Sequence, residues 1–151
     1  SIKYCNRPFL NAQEMDQELI RLWNSKVQDG DTVYILGDLS FHKYKDAEPL
    51  IKALKGRKIL IQGNHDKYSQ TQYRSLGFLL VLQEAIIKIG PSFVRLSHFP
   101  YEPTFLEKLF RFQDARYLHR RPANRGGWLL CGHVHTAWKT KDKMIKRSKT
   151  K

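Results

Sequence analysis

The sequence predicts an α/β domain. Two observations carry the expectation: short β-branched or aromatic runs alternate with helical segments in the order strand, helix, strand, and each such run closes on a glycine and a polar cluster. A third is bulk composition. The 151 residues are 41% hydrophobic, 12% aromatic and 27% charged, which is the make-up of a folded chain, and the length suits one domain.

The elements follow in order. Asn11 and Glu14 resemble a capping box, and Met15, Leu19, Leu22 and Trp23 recur at helical spacing, so a helix is predicted over 12–27, with that stripe facing the core. The turn Gln28-Asp29-Gly30-Asp31 closes it. Thr32–Leu36 is β-branched and aromatic, hence a strand, and runs into Gly37-Asp38. A short helix is expected over 46–55, with Asp46 as cap, Pro49 in its first turn and Gly56 as stop. Lys58–Ile61 is the next strand, ending at Gly63-Asn64-His65-Asp66. Leu79–Ile89 reads as extended, as two strands or one bent strand. Phe93–Ser97 ends at His98, and Trp128–Cys131 ends at Gly132-His133-Val134-His135. The stretch 99–126 is rich in Pro and Gly and loop-like, with a helical turn near 104–112; a long irregular segment in a compact domain is more often functional than not.

Composition also excludes. The longest apolar runs, such as Leu79–Leu82 and Trp128–Cys131, are far too short to cross a bilayer, and Ser1–Pro8 has no basic-then-apolar leader pattern. Cys5 and Cys131 make no disulfide framework. These features predict a cytoplasmic protein with no membrane partner. The net charge is +13; residues 139–151 set seven basic side chains against Asp142 alone, so +6 of it lies there and +7 in the rest. A positive field attracts phosphate-bearing substrates or nucleic acid. The basic tail 146–151 itself is expected to be disordered.

Four predicted strand ends present Asp38, Asn64-His65-Asp66, His98 and His133-x-His135. Ligands of such sheets bind beyond the carboxyl ends of the strands. Singly, each residue has an ordinary structural explanation; together, four of the six histidines occupy strand ends. His42 and His119 lack that setting and are read as ordinary polar side chains. Carboxylate, amide and imidazole donors form a mixed N/O set suited to manganese, iron or zinc, and unsuited to calcium or to a thiolate-bound structural zinc. Gly37, Gly63 and Gly132 let the backbone turn sharply enough to aim these side chains at one point.

Gly37-Asp38, Gly63-Asn64-His65-Asp66, Ser97-His98 and Gly132-His133-Val134-His135 resemble, in order, the second to fifth motifs of the calcineurin-like metallophosphoesterases. Lys3–Phe9 and Gly126–Lys139 look like the small single-domain members found in bacteria and phages. The resemblance implies two β-sheets packed face to face with flanking helices, an αββα sandwich. It implies two divalent metal ions, manganese ahead of iron or zinc. Asp38 corresponds to the carboxylate bridging both ions, Asn64, His98 and His133 to the other ligands of the second, and His135 to a ligand of the first. His65 corresponds to the catalytic histidine that contacts the scissile phosphate and protonates the leaving oxygen. The implied reaction is hydrolysis of a phosphodiester or phosphomonoester by a metal-bridging hydroxide.

The family's first motif, Asp-x-His, does not precede Asp38, and its C-terminal strands are replaced by Lys146–Lys151. The expectation is therefore a domain over 1–145, shortened at both ends and lacking the first strand, whose first metal keeps only Asp38 and His135. Phe41 and His42 stand where large protein phosphatases of the family carry an aspartate and an arginine, which argues against a phosphoprotein substrate and leaves small phosphodiesters or nucleotides open; the partners expected from the resemblance and the charge are a phosphate ester, a nucleotide or nucleic acid. The alternatives are a catalytically impaired relic that binds one metal or a phosphate, and a basic nucleic-acid-binding module; the last leaves the histidine cluster unexplained.

Overall fold

A computed structural model describes residues 8–103 and 117–135. The helical turn expected near 104–112 and the basic tail 146–151 lie outside the described residues. Helix α1 spans Ala12–Lys26; Asn11 Oδ1 accepts from the Glu14 N–H at 2.9 Å, and Glu14 Oε2 reaches back to the Leu10 N–H at 2.8 Å. Strand β1 is Thr32–Ile35 and helix α2 is Tyr44–Lys52. Helix α2 starts two residues earlier than expected, because Asp46 sits inside its first turn beside the helix dipole and does not cap it. Strand β2 is Arg57–Ile61, helix α3 Gln70–Ser75 and strand β3 Phe78–Leu82. Glu84–Ile89, Ser92–Ser97 and Trp128–Cys131 form β4, β5 and β6.

The strands make two three-stranded sheets, β1-β2-β3 and β4-β5-β6. The first is wholly parallel, as the strand-helix-strand pattern requires; in the second, β4 is antiparallel to β5 and β6 parallel to it. The run from residue 78 to 89 is thus two strands, and they belong to different sheets.

Alternation along each strand gives each sheet two distinct faces. On one face of the first sheet, Leu60 and Phe78 pack with Ala47 and Ile51 of α2 and Tyr73 and Leu76 of α3, all buried. On its other face Ile61 meets Val94 and Leu96 of the second sheet, with Leu82, Ala85 and Ile87 around them. Among the described residues the order of layers is helix, sheet, sheet. The outer face of the second sheet carries exposed Ile86 and Phe93. Helix α1 buries none of its residues fully, and Leu19 and Leu22 are 43% and 44% exposed, so the stripe expected to face the core meets it only in part. It is fastened by polar bonds instead: Trp23 Nε1 donates to Lys55 O, and Asn24 Nδ2 donates to Ala53 O, each at 2.9 Å.

The inter-sheet core is open toward its edges. Tyr34 pairs with Ile59, and Trp128 and Leu130 pair with Val94 and Leu96, so all three lie on inward faces, yet all are exposed. Among the described residues β1 and β6 have no further neighbour to cover them. No described helix is long and apolar enough to cross a membrane.

Candidate metal centre

Asp38 follows β1, Asn64 follows β2, His98 follows β5 and His133 follows β6, so each sheet supplies two of the four side chains. They meet at one end of the sandwich. Ligand atoms of Asp38, His98 and His133 all lie within 4.8 Å of one another. Asn64 Oδ1 is 3.1 Å from both His98 Nε2 and His133 Nδ1. His98 Nε2 is 3.4 Å from Asp38 Oδ2 and 3.3 Å from His133 Nδ1.

The donors of this cluster could hold a cation. A carbonyl can only accept, so the 2.8 Å contact from His98 Nδ1 to Leu36 O places the proton on Nδ1 and leaves Nε2, in the neutral ring, with a lone pair. That lone pair faces an amide oxygen, a carboxylate oxygen and a second imidazole nitrogen, and His98 is 1% exposed. One proton on His133 Nδ1 satisfies a single partner. A divalent ion satisfies all four donors, and nitrogen with oxygen suits manganese, iron or zinc. The residues fit such an ion.

The backbone is shaped around the cluster. Asp38, His133 and His135 have φ values of 55°, 63° and 49°, the left-handed region that costs a side-chain-bearing residue roughly 1 kcal/mol or more. A Cβ on Gly37, itself at φ 81°, would strike His98 Nδ1 and come within 2.7 Å of Gly63 N. One on Gly63 would strike the Asp38 carboxylate, and one on Gly132 would approach Leu36 O to 2.6 Å.

His65 is exposed and outside the cluster; its N–H donates to Asp38 Oδ1 at 2.9 Å, and its ring lies 4.8 Å from that of Phe41. His135 is exposed and is not one of the clustered ligands. His42 contacts Asp16 at 2.8 Å and ties α1 to the loop after β1, the structural part expected of it, while His119 is exposed in the turn 117–120.

The chain is 32% identical over 144 residues to the gene 66 protein of Mycobacterium phage L5, an alignment covering 83% of this chain and 67% of that protein. The chain belongs to the gene 66 protein family. The gene 66 protein of Mycobacterium phage D29 is 30% identical over 137 residues, covering 80% of the chain and 66% of the relative. The Methanocaldococcus jannaschii protein MJ1445 is 46% identical over 86 residues, 53% of this chain and 49% of that protein. The chain thus spans about half the length of the archaeal relative and two thirds of the phage ones. No family model matches it. Among solved structures, the Aquifex aeolicus protein AQ665 shares the fold, with a TM-score of 0.59 at 22% identity over 90% of this chain and 83% of that one.

Two residues of this gene 66 family member matter at the site although the sequence assigned neither of them a role. Asp66 is 7% exposed; its Oδ2 accepts from the N–H groups of Asp38 at 2.7 Å and Gly63 at 2.8 Å, and its Oδ1 from Leu39 at 3.0 Å. It fastens the loop carrying Asp38 to the loop carrying Asn64. Phe99, 2% exposed, wedges against both clustered imidazoles, with centroids 4.8 Å from His98 and 4.9 Å from His133, and the Arg120 guanidinium covers its ring at 4.8 Å. Asp66 had a sequence signal in its place beside Asn64-His65; Phe99 had none beyond following His98.

Proposed function

We propose that this protein is a metal-dependent phosphoesterase of the calcineurin-like fold, hydrolysing phosphodiester or phosphomonoester bonds. The observation that carries the reading is the convergence of Asp38, Asn64, His98 and His133 around the His98 Nε2 lone pair. The two stacked sheets and the four ordered motifs support it. Divalent ions bound there, manganese by preference and otherwise iron or zinc, would neutralise phosphate charge and acidify water at neutral pH.

The chain's own residues divide the remaining work. Asp38 turns Oδ2 toward His98 and uses Oδ1 to hold the His65 backbone N–H, so one carboxylate would serve the ion and also fixes the backbone that carries the neighbouring imidazole. The His65 side chain is not committed to the cluster and is exposed, which leaves it able to donate a proton to a leaving oxygen; general-acid help of this kind is worth roughly 10²–10⁴ in rate. Phe99 and the Leu36 carbonyl keep the clustered imidazoles in one orientation.

The test measures metal stoichiometry beside hydrolysis of bis(p-nitrophenyl) phosphate. Asp38→Ala and His133→Ala should lose bound manganese and turnover together, whereas His65→Ala should keep the metal and lose turnover by at least about a hundredfold. Manganese bound equally by the Asp38→Ala and His133→Ala proteins would sink the reading. One observation favours a second reading, a protein that holds a single ion without turnover: His135 stands outside the cluster, which leaves one four-donor site among the described residues. One equivalent of tightly bound manganese with no hydrolysis would select that alternative.

A further inference from the structure

Phe41 is presented beside His65 in a manner that packing does not require. Phe41 is 64% exposed, yet the chain on either side of it is held fast. Before it, the Leu39 N–H donates to Asp66 and the Leu39 side chain packs against the helix-side core. After it, the His42 N–H donates to Ser40 Oγ at 3.1 Å, the His42 ring contacts Asp16 at 2.8 Å, and the Tyr68 hydroxyl donates to His42 O at 2.6 Å. A phenyl ring on a loose loop carries no message. This one is clamped on both flanks, keeps most of its surface in water, and lies 4.8 Å from the His65 imidazole at an interplanar angle of 50°.

A preset aromatic face next to a phosphate-handling histidine selects a ligand with a planar π surface close to its phosphate. Lipid and sugar phosphates have no such surface. A nucleotide carries its base one sugar away from the phosphate, and every base offers a face to stack on. The net charge of +13 favours polyanions in the same direction. We propose that Phe41 is a stacking platform for a nucleobase, and that the substrate class is a phosphodiester bearing a nucleoside. The proposal rests on the phosphoesterase reading of the adjoining centre.

Its test compares two esters with the same leaving group, thymidine 5′-(p-nitrophenyl) phosphate and methyl p-nitrophenyl phosphate, using the full chain with manganese. The wild type should prefer the nucleoside ester in kcat/KM. Phe41→Ala and Phe41→Leu should each lower that preference by about tenfold, the order of one base–aromatic stack, and Phe41→Trp should retain it. Equal losses on both esters would overturn the proposal, because Phe41 would then act only by positioning His65. If neither ester is turned over, the phosphoesterase reading fails, and binding decides the platform by itself. Tryptophan emission of the Phe41→Trp protein, referenced to the wild type, should be quenched by thymidylyl-thymidine and not by inorganic phosphate. No difference between those two probes overturns the proposal. Quenching by the dinucleotide and by a twelve-residue oligothymidylate at equal concentrations assigns a small ligand; quenching at far lower concentration by the oligomer assigns single-stranded nucleic acid.

Discussion

Asp66 shows how much of the site depends on a residue that is itself no candidate ligand. Its carboxylate accepts three backbone N–H groups from two loops. Hydrogen bonds to a charged partner contribute about 1.5–3 kcal/mol each, and donors left without one carry a desolvation cost. Asp66→Ala should therefore lower unfolding free energy by about 3–5 kcal/mol in urea titration, allowing for partial relaxation and water entry. It should also weaken metal binding at least about tenfold, since it frees the loops that carry Asp38 and Asn64. Asp66→Asn should fall between, because its amide NH₂ meets at least one backbone donor. Wild-type stability in Asp66→Ala would show that the three N–H groups have other partners. At Gly37 the argument is steric: an added methyl meets the ring nitrogen that binds Leu36 O, at a φ that disfavours any side chain. Gly37→Ala should cost more than Gly30→Ala, where a Cβ meets nothing within 4 Å, and far-ultraviolet melting curves separate the two.

Elements differ in how openly the sequence announces them. The strands that carry the candidate ligands were legible because each is a short apolar run ended by a polar cluster, opened by a glycine after β1, β2 and β6 and by His98 directly after β5, and β6 matches its expected bounds, Trp128–Cys131. Helix α3 was not, since six residues give no periodicity to detect; its one sign was Ser69 with Gln72 three residues on, a reciprocal capping box. That box predicts that Ser69→Ala costs about 1 kcal/mol. Chevron analysis or equilibrium urea unfolding would read the loss, and no change would mean that packing of Tyr73 alone holds the helix. The passage from β3 to β4 was hidden for another reason: Gln83 alone separates two apolar strands, and nothing in local pattern marks a change of sheet. For α1, half-exposed Leu19 and Leu22 predict that truncating either to Ala costs less than about 1 kcal/mol, whereas Leu60→Ala, at a fully buried position between α2 and α3, should cost about 3 kcal/mol.

At the scale of the whole molecule, the candidate ligands come from both sheets. Asp38 and Asn64 extend from the first sheet and His98 and His133 from the second, and the bond from His98 to Leu36 O already crosses between them. The strand-end pattern made these donors legible one by one, but their division between sheets depends on a topology that no local signal encodes. An ion held there would act as a cross-link at one end of the sandwich, while the opposing inward faces at Tyr34, Trp128 and Leu130 remain open. Metal that binds only the folded chain at a hundred times its Kd stabilises by about 2.7 kcal/mol. For a chain of this length each kcal/mol moves the midpoint by roughly 2–4 °C, so stripping manganese with a chelator should lower Tm by about 5–10 °C. In His133→Ala the cross-link lacks one of its two anchors in the second sheet, and the same chelator should leave Tm almost unmoved. An equal drop in both proteins would place the stabilising ion somewhere other than between the sheets.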